Sequence, residues 1–261
     1  MCKLSFSGHI SGDIYSHCWF YESTRRSFQF EGYGDTCGGI TAVALTAFMV
    51  ESYLNLSCKL IFDLQARVNE VLDSPPFDFF EVIDKKTVKG THINDKVAIA
   101  YGFKDQLDNL TSVFNDKLFG RKKADFARLC GEKSFYEIDD ELRFSPKAKF
   151  FALSEVLYVD DTKKKEHRKL IERLFILRNS LAHGRSEFVK SSVLIESGNN
   201  SSFSSESIPP LQASWQEQCT IENAKKAFDD SCEIIKFLSL SAFNDKYPFR
   251  MPTQIGSFSK G

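Results

Sequence analysis

Residues 178 to 183 read Arg178-Asn179-Ser180-Leu181-Ala182-His183, a permanent cation followed at once by an amide and, five positions after the arginine, by an imidazole. Together these types can grip an oxyanion and move a proton. A guanidinium binds phosphate or carboxylate through paired N–H groups, and an imidazole exchanges its proton near neutral pH. Asn179 stands one turn before His183, where it can orient the ring or donate to the same anion. At about 100° per residue, Leu170, Ile171, Leu174, Phe175, Leu181 and Ala182 fall within about 80° of the direction of Arg178, which sets the guanidinium in the middle of an apolar face. Burying it unpaired costs several kcal/mol, so it must meet a carboxylate, face a subunit seam or line a pocket for an anion. Glu51, the one acid inside the apolar run from Ile40 to Phe62, can position Arg178 or His183. His183 itself lies about 140° around a regular helix from Arg178 and does not share its face. Either the helix unwinds at Gly184 and swings the ring inward, or the two residues serve one site from different subunits.

The elements that carry these residues follow from pattern and punctuation. Asp160-Asp161-Thr162 starts the helix that bears Arg178, and Gly184 ends it as a C-terminal cap. Pro146 opens the preceding helix through Ala148, Phe151, Leu153 and Val156. A long apolar helix begins after Gly38-Gly39, carries Glu51 and runs to about Leu72, where Ser74-Pro75-Pro76 stops it. Weak helical signals cover Lys96 to Phe119 and Lys122 to Leu129, and Glu137 to Glu141 has the character of an acidic loop. A last helix starts near Thr220 and repeats apolar or small residues at Ile221, Ala224, Phe228, Ser231, Ile235 and Leu238. Residues 3 to 33, with Trp19-Phe20-Tyr21 and Phe28-Gln29-Phe30 between glycines, read as short antiparallel strands. Phe188 to Ile195 reads as a strand, Ser197 to Ser207 as part of an exposed insertion spanning about 197–218, and the tail from Lys246 as irregular. The chain is therefore mainly α, with an N-terminal β accessory segment at 1–36, a helical domain at 37–245 and a C-terminal tail at 246–261.

Composition narrows the function classes. Residues 163 to 190 hold nine Lys or Arg against three acids, a balance of +6, inside a chain of 261 residues whose formal net charge is -1. That total excludes a wholly basic nucleic-acid coat protein, and 42% hydrophobic residues exclude a disordered tail. The seven cysteines are scattered and odd in number, as expected of free thiols in a reducing cytoplasm. His17-Cys18 and Cys37 lack a fourth ligand, so no metal is expected. Nothing at the N-terminus has a secretory hydrophobic core. Ile40 to Phe62 is long enough to span a bilayer, but Glu51 near its centre is costly in lipid, which favours a buried bundle helix and no membrane. Gly32-Tyr33-Gly34 and Gly38-Gly39 lack the Lys-Ser/Thr of a phosphate loop and read as turns.

The string Leu177-Arg178-Asn179-Ser180-Leu181-Ala182-His183-Gly184 resembles the signature helix of the HEPN superfamily, and Ala44, Ala47, Glu51 and Asn55 resemble its first bundle helix. The resemblance spans roughly residues 38 to 245 and leaves the N-terminal strands and the Ser-rich insertion unexplained. It implies an antiparallel four-helix-type bundle, to which the β segment is accessory, and a homodimer in which the signature residues of two subunits meet in one cleft. It also implies a metal-independent endoribonuclease without cofactor, acting as a toxin or phage-defence effector under an antitoxin or other regulatory protein. Family members silenced by nucleotidylyl transfer often carry a Tyr two residues after the His; this chain has Arg185 there.

The residue types suit that chemistry. RNA carries its own nucleophile, so cleavage requires removal of the 2′-hydroxyl proton, stabilisation of charge on the phosphoryl oxygens and protonation of the leaving 5′ oxygen. On the resemblance His183 would transfer the proton, Arg178 would meet the phosphate, Asn179 would orient the His183 ring or donate to the phosphate, Glu51 would position Arg178 or His183, and Lys169, Arg173 and Arg185 would bind RNA. The plainer alternatives are an Arg178–Glu51 pair that only fixes helix register and a His183 that only meets the helix dipole. With them goes a non-catalytic module that binds RNA, a nucleotide or a protein partner through the same cleft.

Overall fold

The computed structural model describes residues 6–11, 15–29, 34–63, 104–129, 133–183, 213–243, 245–250 and 255–260. In chain order these form β1 (Phe6–Ser11), α1 (Ser16–Ser27), α2 (Gly34–Phe62), α3 (Lys104–Phe119), α4 (Lys123–Leu129), α5 (Phe135–Leu142), α6 (Pro146–Leu157), α7 (Asp161–Ala182), α8 (Ser214–Gln218), α9 (Ile221–Phe243) and β2 (Ile255–Lys260). The described chain is mainly helical.

A strongly apolar helix needs other elements to cover it, and α2 is covered along one side. Ala42, Val43, Ala47, Met49, Val50, Leu54, Cys58 and Ile61 are buried along one half of its circumference, while Thr41 and Phe48 on the other side are exposed. α1 and α9 cover it most extensively, while α7, α6, α5 and α3 also pack on it. By length and composition alone Thr36–Phe62 could cross a membrane, but half of its apolar window is covered by the other helices. The helix runs straight through Gly38 and Gly39, which are not turns. A Cβ at Gly39 would sit 1.7 Å from the Cys219 carbonyl oxygen, and one at Gly38 would sit 2.7 Å from Ile221 Cδ1. The glycines let the start of α9 approach the α2 backbone.

Capping explains the starts of α5, α6 and α7. Ser145 caps α6 with Pro146 at its first position, and Asp160 caps α7 by accepting from the Thr162 and Lys163 N–H groups. α5 corrects the acidic-loop expectation for Glu137 to Glu141. The Ser134 N–H donates to Glu137 Oε2 (2.8 Å) and the Ser134 hydroxyl accepts from the Glu137 N–H, a reciprocal cap, while Phe135, Ile138 and Leu142 bury one face. Lys149 of α6 is buried between α5 and α2, donating to Asp139 Oδ2 (2.5 Å) and to Asn55 Oδ1 (2.7 Å).

Residues 16–27 form a helix, which corrects the strand expected there. His17, Cys18 and Thr24 are buried with Tyr21 packed against the core, a helical rather than an alternating spacing. The β-propensity of Trp19-Phe20-Tyr21 is overridden by packing on α2. β1 pairs antiparallel with β2, Phe6 opposite Lys260 and Ser11 opposite Ile255. The tail is therefore not irregular throughout, since Ile255–Lys260 is extended. The end of the expected insertion, 214–218, is the short helix α8. The expected extension of α2 to Leu72, the strand Phe188–Ile195 and the Ser-rich run 197–207 lie outside the described residues.

Candidate functional site around Arg178

α7 fixes where its last turn points. His167, Ile171, Leu174, Phe175 and Leu177 are buried, and the His167 ring shares a 2.6 Å hydrogen bond with the Tyr158 hydroxyl. His167 and Ile171 lie about 20° on either side of the direction of Arg178, so that residue does leave α7 on its buried face. Its head nevertheless reaches solvent. The Arg178 side chain is 31% exposed and the Glu51 side chain 29%, with Nη2 donating to Glu51 Oε2 at 3.3 Å. Nη1 donates to Asn179 Oδ1 at 3.0 Å, and the guanidinium carbon stands 5.6 Å from the centroid of the Phe48 ring.

Of the three fates open to this cation, a carboxylate of its own chain is the one realised, in a setting that is not sealed. A partly exposed pair of this kind contributes at most about 1 kcal/mol. A guanidinium carries five N–H donors, and the contacts to Glu51 and Asn179 leave some of them for another anion. Because Asn179 spends its carbonyl oxygen on Arg178, its amide N–H groups are the part left to donate outward. Phe48, three residues and nearly one turn before Glu51 along α2, gives the guanidinium a face to rest on. Sequence reasoning missed Phe48, although its spacing of three from Glu51 on a helix was the available signal.

His183 stands apart. It is exposed, caps the C-terminus of α7 with its N–H donating to the Asn179 carbonyl at 3.0 Å, and its ring makes no hydrogen bond among the described residues. Its backbone stays in the right-handed helical region (φ -90°, ψ -1°), so α7 does not unwind there to bring the ring inward. About 140° of helix therefore still separates it from Arg178. Arg173 and Lys169 are exposed as well. Arg173 lines a cleft of about 230 Å³ between α7 and α9 with Leu170, Leu174, Leu177, Lys226 and Asp230. That is the flank of α7 opposite Asn179. Arg185 lies outside the described residues, and Asn55 is engaged by Lys149 rather than by Arg178. The structure thus gathers Arg178, Asn179, Glu51 and Phe48, and does not add His183, Arg173 or Lys169 to them within one chain.

Other chemistries find less support. Cys18, Cys58, Cys219 and Cys232 are buried free thiols. Burial pushes the Cys18 and Cys219 thiols up to about 11 and Cys232 to about 12, which makes them poor nucleophiles. Among the described residues no group of three or more His, Cys, Asp or Glu converges as a metal site. No protein-family model matches the chain, and no curated protein or solved structure gives a significant match to it.

Proposed function

We propose that the chain is a metal-independent endoribonuclease with an HEPN-type bundle and an accessory β element. It works as a cytoplasmic homodimer and serves as a toxin or defence effector held in check by an antitoxin or other regulatory protein. The observation that carries this reading is the tethered but solvent-reaching guanidinium of Arg178 at the end of the helix that also presents an exposed His183. In the reaction, the RNA 2′-oxygen attacks phosphorus as its proton passes to a base. The bond from phosphorus to the 5′ oxygen breaks, and that oxygen takes a proton. The products are a 2′,3′-cyclic phosphate and a 5′-hydroxyl. Arg178 and the Asn179 amide hold the phosphoryl oxygens, Glu51 keeps the guanidinium aimed, and His183 carries the proton. Since the two signature residues diverge within one chain, His183 of one subunit serves Arg178 of the other.

Incubation of total RNA in EDTA tests this. The wild type is expected to cut, with His183→Ala and Arg178→Ala each slower by about 10²- to 10⁴-fold, the size of a general acid or base contribution. Unchanged rates in both variants would overturn the proposal. RNA that is bound but left intact by the wild type would instead identify a non-catalytic module, a reading favoured by the 3.3 Å contact through which Glu51 already meets the Arg178 charge.

A further inference from the structure

A second surface lies where α1, α9 and the segment after α9 converge. Tyr21, Glu22 and Arg25 of α1, Lys236 of α9, and Lys246 to Arg250 line a cleft of about 570 Å³. Its floor is aromatic: the Phe249 ring stacks on Tyr21 with centroids 4.2 Å apart and planes 10° from parallel, and Arg25 lies 5.8 Å from the Tyr21 centroid. At its rim Tyr247 is 70% exposed, far more than a ring needs if its only role is packing. Four cations, Arg25, Lys236, Lys246 and Arg250, face one carboxylate, Glu22, which pairs with Arg25 at 3.2 Å. Among the described residues the other three cations have no ion-pair partner.

The rim is held in place by buried groups of α1. His17 Nε2 donates to the Pro248 carbonyl at 2.9 Å, and the Cys18 thiol donates to the Pro248 and Arg250 carbonyls at 3.6 Å. Asp245 Oδ1 accepts from the Tyr247 N–H at 2.8 Å. A fixed aromatic platform bordered by unpaired cations is the chemistry that takes single-stranded nucleic acid, whose bases stack while its phosphates meet the charges. An anionic membrane or an acidic peptide would meet the same cations, whereas stacking on the ring is the contact that a base supplies and a base-free polyanion does not.

We propose that this cleft binds single-stranded RNA, a base stacking on Tyr247 and its phosphates meeting Lys236, Lys246 and Arg250, as a grip separate from Arg178. The assignment of RNA over DNA rests on the ribonuclease reading; the cleft chemistry does not.

The test is fluorescence anisotropy of the full chain with a labelled 12-nucleotide oligouridylate whose 2′-hydroxyls are methylated against cleavage, with heparin as a base-free polyanion. Tyr247→Ala is expected to weaken the oligonucleotide about 5- to 100-fold and heparin hardly at all, the range for loss of one stacked base. Lys246→Ala with Arg250→Ala should weaken both and flatten the salt dependence by about 1.4 in log–log slope, two phosphate contacts on a single strand. Arg178→Ala should slow cleavage of unmethylated RNA about 10²- to 10⁴-fold while weakening the methylated oligonucleotide less than the cleft substitutions do, which separates the cleft from the Arg178 site. Binding that survives both sets of cleft substitutions, or a Tyr247→Ala loss no greater for the oligonucleotide than for heparin, overturns the cleft. Loss of binding in the cleft variants of a wild type that never cuts RNA keeps the cleft and removes the nuclease.

Discussion

Among the described residues, removing the Glu51 carboxylate leaves Arg178 held by Asn179 and the Phe48 face. Because the pair is partly exposed, Glu51→Ala is expected to change unfolding free energy by about 1 kcal/mol or less, while RNA cleavage falls about tenfold as the guanidinium loses its aim. Urea unfolding and cleavage rates on the same preparation separate the two effects. Arg178→Lys should lose most of the activity, since an ammonium cannot make the paired contacts. Lys149 behaves differently, being buried with Asp139 and Asn55 as partners. Lys149→Met strands the Asp139 carboxylate, and a loss of about 3–5 kcal/mol in unfolding free energy is expected. Two histidines set the pH response. Burial, the largest cause in each case, lowers the pKa of His17 and His167 below the ordinary 6.5. The unfolded chain therefore binds protons that the folded one refuses. Stability from these groups is complete above about pH 6.5 and declines as the pH falls below it, so thermal melting should shift downward on acidification from pH 7 to pH 5.5.

At the scale of elements, the contact between α2 and the start of α9 is the most demanding. Gly39→Ala places a methyl against a backbone oxygen, not against a flexible side chain, and the two helices must part. A loss of about 1–3 kcal/mol or more is expected, read as a lower melting temperature. Sequence exposed the elements whose signals are local. The Ser145-Pro146 and Asp160 caps mark the starts of α6 and α7, and the small and apolar repeat from Ile221 marks α9. It concealed those whose signals are tertiary. α1 reads as strand from its aromatics because only contact with α2 favours the helix, and Gly38-Gly39 reads as a turn because the approach of Cys219 is invisible in one dimension. α5 was hidden by acids that turn out to cap the helix (Glu137), pair with a buried lysine (Asp139) or stand exposed (Asp140 and Glu141) rather than to form a loop. The Arg178–Glu51 pairing was legible, since a cation on an apolar stripe needs a carboxylate and only one was offered. The basic cleft beside Tyr21 was not, because its residues come from three separate segments.

For the molecule as a whole, a single chain presents Arg178 toward α2 and His183 toward solvent, about 140° apart on one helix. The nuclease reading therefore requires a twofold assembly in which each site is shared, and mixing two inactive variants tests this most directly. Arg178→Ala and His183→Ala chains, unfolded together and refolded at equal concentration, form half of their dimers as hybrids, each with one intact shared site. Cleavage of RNA in EDTA should return to about a quarter of the wild-type rate, although neither variant alone cuts. If the mixture stays as inactive as its components while identically refolded wild type is active, Arg178 and His183 do not share a site across subunits.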